Sequence, residues 1–470
     1  LRMYVDESYN PQGDGGNLAF SIKINAYGKT GDKMPKTGPV AKVLLSGVGD
    51  NGTIDTSDSE QTFITGTDPN NYIWYSGKLW RAVSIDPSDN SVKLVTQWEI
   101  STLPYNASDN TAFKGSYMEQ WLNDTSIDGF LGNLREPDKF IKTDSVWNAT
   151  MTDIHSDSDK LAKTTMVTDA VGLLNIYEYT MSYKNATYET GYLNNGSFWW
   201  TLTPYSTSRV CYVSCYGNVD RFDSVCSYGS RPSINLKSAV KIIDGDGTVD
   251  NPYRLQGDND SPTGALLLTR YSGEYISFGT GENNLYRIVS HENGTGTKIT
   301  SAIPLKDSGN YKKMYFGSNV TFSKDNTIGA FLNGDYLTSG TYLTRDQVSM
   351  IEDKTTWYLG TVGYASYKLA KYQDITGSNL TTSTTTAKIG LLRIGELMAG
   401  QFDKYGNNTG YWTLTHESTS SVSSVDFNGV VGGGSPVLSF GSRPSMNLKS
   451  TVTIVSGKGT KSDPFVLSGN

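Results

Sequence analysis

Short alternating patterns separated by glycine-rich turns run along most of the chain, and they predict more β-sheet than helix. Apolar and polar residues alternate over residues 80–85 and 92–96, which is the two-residue period of half-buried strands. A similar alternation covers residues 18–27, and an apolar run over residues 40–45 predicts another strand. Gly, Ser, Thr and Asn are abundant between these segments, as expected for short strands joined by turns.

The periodicity expected of helices is weaker than that of strands and occurs between groups of predicted strands. Apolar residues recur every three to four positions over residues 116–122 and 165–183, so we predict helices there. Because strands precede and follow these helices, we expect an α+β fold with helices set to one side of antiparallel strands.

The sequence contains an internal repeat. Trp-Thr-Leu-Thr at 200–203 leads, after 25 residues, into Gly-Ser-Arg-Pro-Ser-Ile-Asn-Leu-Lys-Ser at 229–238. The same tetrapeptide at 412–415 leads, after another 25 residues, into Gly-Ser-Arg-Pro-Ser-Met-Asn-Leu-Lys-Ser at 441–450. Further matches occur in the same order, at Tyr72/Tyr275, Lys93/Lys298, Trp121/Phe331, Trp147/Trp357, Gly172/Gly390 and Glu178/Glu396.

The repeat suggests four segments. We expect a β-rich N-terminal arm or small domain over residues 1–61, a first repeat over 62–257, a linker over 258–263 and a second repeat over 264–470. Each repeat is about the size that one hydrophobic core can serve, so the two should share one strand order.

The 25-residue inserts share a sparse frame but differ elsewhere. The frame consists of Ser206/Ser418, Val210/Val422, Val213/Val425, Gly217/Gly429, Val219/Val431 and Val225/Val437. We expect its Val and Gly residues to be buried or in turns, and the unlike residues to point outward on one face. The predicted ligand-binding residues are Tyr205, Arg209, Tyr212, Tyr216, Asn218, Asp220, Arg221, Phe222, His416, Glu417, Asp426 and Asn428.

The span from Trp-Thr-Leu-Thr to Gly-Ser-Arg-Pro-Ser-x-Asn-Leu resembles a family of C-type-lectin-like domains found in secreted and surface proteins of Gram-positive gut bacteria. The resemblance covers residues 62–470 and includes the aromatic openings at 72–84 and 275–290. It implies two tandem C-type-lectin-like domains, with a fold distantly shared with formylglycine-generating enzymes. In related proteins diversified by retroelements, exposed residues of this same segment vary on a fixed scaffold and contact the ligand.

Composition narrows the choice of function. The net charge is −7, with 40 basic and 47 acidic residues interspersed, so we expect no nucleic-acid partner. No stretch reaches the roughly 20 apolar residues of a membrane span. Because the chain starts at Leu1 rather than Met, we expect a processed protein or an excised part of a longer one. The resemblance implies that it is secreted or displayed at a cell surface.

Residues that could take part in catalysis are scattered along the chain. Cys211, Cys215 and Cys226 have no cysteine counterparts in the second repeat, so we favour free thiols over a disulfide, and both over catalysis. The three histidines, His155, His291 and His416, fall at non-equivalent positions and suggest no catalytic set.

Other motifs favour structural roles. Residues 244–250 and 50–55 each carry oxygen-bearing side chains at alternating positions, as a calcium loop does. The second repeat lacks the carboxylates of residues 244–250, so we favour a turn there. We expect no metal or cofactor. Arg231 and Arg443 should make structural hydrogen bonds, and Glu178 and Glu396 should cap helices or bond local backbone. At Trp199-Trp200 and Tyr411-Trp412, we expect one aromatic of each pair to be core.

These patterns favour a non-enzymatic binding protein, an adhesin or receptor-binding component that recognises a protein or glycan on another surface. The alternative is a structural subunit of a surface filament or layer, which would self-associate and use the N-terminal region to link neighbours. An enzyme ranks third.

Overall fold

A computed structural model describes residues 37–106, 108–126, 129–153, 160–257, 262–291, 296–360, 383–397, 409–426 and 431–469. All of them belong to one compact unit, Lys36–Asn470. The strand predicted over residues 18–27 lies outside the described residues. What is described is mostly β-sheet with few and short helices, so the predicted β-rich character is confirmed. None of the described helices is long and apolar enough to cross a membrane.

The described residues of the first repeat and of the segment before it include four short helices and a 3-10 turn at Leu131–Asn133. The helices are α1 Val40–Leu45, α2 Tyr117–Asn123, α3 Pro137–Phe140 and α4 Ile176–Met181. The strands are β1 Gly38–Pro39, β2 Gly52–Asp55, β3 Thr62–Gly66, β4 Tyr72–Tyr75, β5 Lys78–Ile85, β6 Val92–Thr96, β7 Ser101–Pro104, β8 Val146–Asn148, β9 Met166–Thr168, β10 Val171–Gly172, β11 Trp199–Pro204, β12 Arg209–Val213, β13 Val219–Asp223, β14 Ser227–Ser230, β15 Ser233–Leu236, β16 Lys241–Asp244 and β17 Tyr253–Leu255.

The second repeat begins with 3-10 turns at Leu267–Thr269 and Gly281–Asn283. Its helices are α5 Thr327–Asn333, α6 Asp335–Thr338, α7 Arg345–Met350 and α8 Ile394–Leu397. Its strands are β18 Tyr275–Ser277, β19 Leu285–Ser290, β20 Thr297–Ser301, β21 Lys306–Asp307, β22 Asn310–Tyr311, β23 Lys313–Tyr315, β24 Thr355–Tyr358, β25 Thr384–Ala387, β26 Tyr411–His416, β27 Val422–Val425, β28 Val431–Gly434, β29 Ser439–Gly441, β30 Ser445–Leu448, β31 Thr453–Ser456 and β32 Phe465–Ser468.

Strand order is the same in the two repeats, as the repeated motifs predict. The main sheet runs β16-β17-β4-β5-β6-β15 in the first repeat and β31-β32-β18-β19-β20-β30 in the second. A second sheet runs β13-β12-β11-β14-β7 and β28-β27-β26-β29-β23, respectively. In each main sheet the opening strand lies parallel to the closing one, β4 beside β17 and β18 beside β32.

Repeated tryptophans anchor the core between these sheets and the helices. Trp147 and Trp357 are buried, and their indole nitrogens donate to backbone carbonyls. Gly172 and Gly390 recur because a Cβ at either position would lie 2.5–2.6 Å from the tryptophan ring. The matched Gly and Trp positions in the sequence therefore record one packing contact made twice.

Residues 40–45 form helix α1, so the predicted strand is wrong. Val40, Val43 and Leu44 lie at helical spacing and are buried in the core of the first repeat. A run of six apolar residues fits a strand and a buried helical turn equally well, and packing decides between them. On either side, β1 pairs with β16 and β2 pairs with β3, so residues 38–55 extend the main sheet of the first repeat. The segment boundaries suggested by the sequence stay a prediction.

The helix predicted over 116–122 is confirmed as α2, whose N-cap Ser116 accepts a hydrogen bond from the Glu119 amide. The second prediction, over 165–183, is only partly correct. Strands β9 and β10 occupy its first part, and α4 occupies only Ile176–Met181. Asn175 explains the late start, because it forms a capping box with Glu178.

The two repeats contact each other at two places. Lys78 Nζ donates to the Ser272 carbonyl at 3.3 Å, and Arg287 Nη2 donates to the Gly77 carbonyl at 3.3 Å. A second contact joins the turns that follow β16 and β31, where Lys458 Nζ lies 2.5 Å from Asp244 Oδ2.

Candidate functional site

The predicted recognition residues of the first repeat lie on the hairpin of β12 and β13 and its flanking turns. The turn at the hairpin tip is held by Tyr179, whose hydroxyl donates to the Gly217 carbonyl at 2.5 Å. Gly217 has φ +94°, and a Cβ there would lie 2.2 Å from the Tyr188 carbonyl oxygen. Asn218 accepts from the Ser214 hydroxyl, which closes the turn. Tyr216 projects from this turn and is 73% exposed.

Strand register divides these residues between two faces, so the prediction of a single outward face is wrong. Directly opposed residues of an antiparallel pair share a face. Arg209 opposes Asp223 and Arg221 opposes Cys211, whereas Phe222 opposes Val210 on the other face. Arg209 forms an ion pair with Asp223 at 3.1 Å, and the Arg221 guanidinium lies 4.8 Å from the Tyr205 ring centre.

The prediction that Tyr212 points outward is also wrong. It opposes Asp220 on the face of Phe222, but only 8% of it is exposed, and it belongs to the core of the first repeat. Burial, and then the charge of Asp220, raise the pKa of the Tyr212 hydroxyl. A residue in this position stabilises the domain as well as shaping its surface.

Four aromatic rings form a continuous row on this side of the sheet, and we call Phe198, Tyr212, Phe222 and Tyr228 the aromatic face. Ring centres are 4.6 Å apart for Tyr212 and Tyr228, and 5.5 Å apart for Phe222 and Tyr228. Phe198 stacks on Tyr228 with an interplanar angle of 17°. Phe222 is 42% exposed, Phe198 and Tyr228 are half-buried, and Trp200 packs beneath them.

The second repeat keeps the base of this arrangement and lacks its surface. The ring centres of Trp412 and Phe440 lie 4.7 Å apart, and these residues occupy the positions of Trp200 and Tyr228. Gly410, Ser424 and Gly434 stand where the first repeat has Phe198, Tyr212 and Phe222. The partly exposed aromatic row is therefore a property of the first repeat.

The frame residues behave largely as predicted. Val210, Val213, Val422 and Val425 are buried. Val225 and Val437 are exposed but lie in turns, and Gly217 is in the hairpin turn. Val219 and Val431 depart from the prediction, because these strand residues are only half-buried. Gly429 lies outside the described residues.

The described members of the predicted set in the second repeat lie at both ends of the β26–β27 pair. His416 ends β26 and is half-buried, and burial lowers the pKa of its imidazole. Glu417 accepts a hydrogen bond from the Ser421 hydroxyl at 3.0 Å within the following turn. Asp426 is half-buried just after β27. Asn428 lies outside the described residues.

Cysteines and paired aromatics have structural positions. All three cysteines are free thiols, as predicted, and burial raises the pKa of the Cys211 thiol to about 12. Such a thiol is unreactive at neutral pH. Both members of each aromatic pair, Trp199-Trp200 and Tyr411-Trp412, are buried, where one of each pair was expected.

The recurring arginines form structural hydrogen bonds, as predicted. Arg231 donates from Nε to the Thr96 carbonyl at 2.8 Å and from Nη1 to the Leu193 carbonyl at 2.7 Å. Arg443 repeats the first contact on Ser301. Both arginine side chains are buried, and each binds the last residue of a strand in its main sheet, Thr96 of β6 or Ser301 of β20.

The recurring glutamates do cap local backbone, but each also binds a lysine that sequence reasoning did not pair with it. Glu178 Oε2 accepts from the Asn175 amide, and Glu396 Oε2 accepts from the Arg393 amide. The other oxygen of each glutamate binds Lys93 or Lys298. Recurrence of both residue types at matching positions was the signal available in the sequence.

Two cavities adjoin these features. A polar groove of about 320 Å³ in the first repeat is lined by Lys93, Glu178 and Asn235. A second cavity, of about 290 Å³, lies between the repeats beside Trp74, Tyr275 and other residues.

Residues 244–250 form a turn stabilised within the protein. Asp246 accepts hydrogen bonds from the Thr248 amide and hydroxyl, and Asp244 binds Lys458 and Arg254. In the described part of the chain, no group of three or more His, Cys, Asp or Glu residues could hold a metal ion.

Comparison with known proteins gives one match. A family model described as a domain of unknown function (DUF6273) matches residues 90–238. This range begins just before β6 and ends with the Gly-Ser-Arg-Pro motif of the first repeat, so it contains the hairpin and the aromatic face. No curated protein and no solved structure matches the chain.

Proposed function

We propose that this chain is an extracellular or cell-surface binding protein with two tandem C-type-lectin-like domains. Its first repeat contacts a protein or glycan on another surface through the aromatic face and the adjoining hairpin tip. The chain acts as an adhesin or receptor-binding component and catalyses no reaction on its ligand.

The observation that carries this proposal is the difference between two otherwise matching repeats. Strand order, buried arginines and core tryptophans recur, whereas within the described residues the partly exposed aromatic row occurs in the first repeat alone. Partly exposed aromatic rings are typical of binding surfaces, because they bury large areas and the tyrosine hydroxyl still offers a polar contact. Tyr216 and Phe222 provide the accessible part of this surface, whereas Arg209 and Arg221 lie on the opposite face of the hairpin.

Binding of the purified chain to arrays of glycans and cell-surface proteins tests this function. We expect Phe222→Ala and Tyr216→Ala each to weaken binding by about 30-fold, the equivalent of about 2 kcal/mol. Tyr315→Ala is the matched control, because Tyr315 is an exposed aromatic in the second repeat. Equal binding by all three variants and the unmodified chain would contradict the proposal.

A structural subunit of a surface filament is the second candidate. It is supported by β13 and β28, which end their sheets and leave one edge without a neighbouring strand within the described residues. Such edges can pair with another chain. Sedimentation that shows concentration-dependent self-association, with no array binding, would favour this alternative.

A further inference from the structure

At the same place in both repeats, a lysine pairs with a glutamate and lies opposite an asparagine of the neighbouring strand. Lys93 binds Glu178, and Lys298 binds Glu396, through hydrogen-bonded ion pairs. In the second repeat the lysine side chain is 5% exposed and the glutamate is fully buried. Removing two charges from water is expensive, so a pair kept at matching positions invites a specific explanation.

The asparagine lies directly across the sheet from the lysine. Asn235 opposes Lys93 between β15 and β6, and Asn447 opposes Lys298 between β30 and β20. Directly opposed residues point to the same face, with Cβ atoms about 4.5–5.5 Å apart. In the first repeat, all three side chains line the same 320 Å³ groove.

Each lysine nitrogen lies between the glutamate and an aromatic ring. A tryptophan ring covers each lysine, with Nζ 4.8 Å from the centre of Trp147 in the first repeat and 5.4 Å from that of Trp357 in the second. Among the described residues, Asn447 Oδ1 is buried and has no hydrogen-bond partner. A buried amide oxygen without a partner is rare and costly in folded proteins.

We propose that each repeat forms an intramolecular amide cross-link between this lysine and this asparagine, Lys93 to Asn235 and Lys298 to Asn447. The glutamate is the catalytic residue of this self-reaction, because it contacts the reacting nitrogen.

The reaction needs no other reactant. Glutamate takes a proton from the lysine ammonium, and the neutral Nζ attacks the asparagine Cγ. The Cγ–Nδ2 bond breaks as the Nζ–Cγ bond forms, and the glutamate passes its proton to the departing nitrogen. The second proton lost by Nζ also goes to the departing ammonia, which leaves as ammonium and restores the glutamate carboxylate. One ammonia is released for each cross-link, and no electron is gained or lost.

The two repeats should react at different rates. Burial alone would raise the pKa of Glu396, but Lys298 and Arg393 hold it at about 2, and this opposes proton transfer from the lysine. Asn175 occupies the position of Arg393 in the first repeat. We therefore expect the Lys93–Asn235 bond to form first.

Intact-mass spectrometry of the denatured full chain is the test. Each cross-link lowers the mass by about 17 Da, so we expect a chain about 34 Da lighter than its sequence. Protease digestion should yield two branched peptides, one joining the segments around Lys93 and Asn235 and one joining those around Lys298 and Asn447. A mass equal to that of the sequence would overturn the proposal and leave ordinary ion pairs. A loss of one ammonia would retain the proposal only for the repeat in which the branched peptide is found.

Variants separate the chemistry from folding. Lys298→Arg keeps the charge and the ion pair but should lose one mass decrement, and Glu396→Gln should do the same with the nucleophile intact. Lys139→Arg is the matched control. Lys139 forms an exposed ion pair with Glu136, and it lies in helix α3, where no described strand places an asparagine opposite it. Array binding measured on the same samples keeps this result independent of the proposed ligand-binding function. Unchanged mass loss in Glu396→Gln would refute the catalytic role of the glutamate.

Discussion

Replacing Tyr212 tests directly which hairpin residues stabilise the first repeat and which are available for recognition. Its ring lies within 6.4 Å of four others, Phe198, Trp200, Phe222 and Tyr228, measured between ring centres. Replacing a buried aromatic residue by alanine costs about 3–5 kcal/mol through lost burial and the cavity that remains. Because Tyr212 sits near the surface, we expect Tyr212→Ala to cost about 3 kcal/mol.

Two neighbouring residues set the scale for this value. Phe222 is 42% exposed, and we expect about 1 kcal/mol for Phe222→Ala. Tyr216 is 73% exposed, and its replacement should change stability by less than about 0.5 kcal/mol. The three substitutions therefore form a graded series along one hairpin.

Thermal unfolding of the full chain, followed by tryptophan fluorescence, measures the series. A domain of this size loses roughly 2–4 °C of Tm per kcal/mol, so Tyr212→Ala should lower the first transition by about 6–12 °C. Ser424→Ala is the control at the matching position of the second repeat. Equal shifts for Tyr212→Ala and Tyr216→Ala would refute the assignment of Tyr212 to the core.

Two further predictions concern a backbone turn and a buried charge. Gly217→Ala should destabilise the first repeat more than Gly115→Ala in urea unfolding, because both have positive φ but only at Gly217 would the new Cβ overlap a neighbouring atom; equal losses would show that the overlap is relieved. Burial, and then Arg287, lower the pKa of Lys78 to about 7 from 10.5, so the unfolded chain binds more protons between these values and stability rises with pH there. We expect this rise, at most about 1.4 kcal/mol per pH unit, to be smaller in Lys78→Met between pH 7 and 9; an unchanged slope would contradict it.

Repeated motifs predicted the strand order because each motif corresponds to one packing contact, as Gly172 and Trp147 illustrate. Burial in the hairpin was harder to predict. Tyr212 is covered by Tyr228, which reaches it from β14, and no local pattern reports a contact between separate strands. An alternating strand pattern also does not say which of its two faces meets water.

The lysine–glutamate pairs illustrate a second limit. Lys93 and Glu178 are 85 residues apart, and Lys298 and Glu396 are 98 apart. Each residue was aligned with its counterpart in the other repeat, but pairing them required the fold. The helix at Val40–Leu45 was missed for a different reason, because six apolar residues are too few to reveal a period.

The first and last strands of the main sheet in the second repeat are neighbours, and this determines how that repeat would respond to a pulling force. Because β18 and β32 are parallel, tension applied to the two ends of the second repeat pulls these strands past each other along their length. The hydrogen bonds between them are then loaded together instead of opening one at a time. A protein that tethers one surface to another under flow would gain from such a shear-resistant arrangement. In the first repeat, β4 and β17 are also paired in parallel.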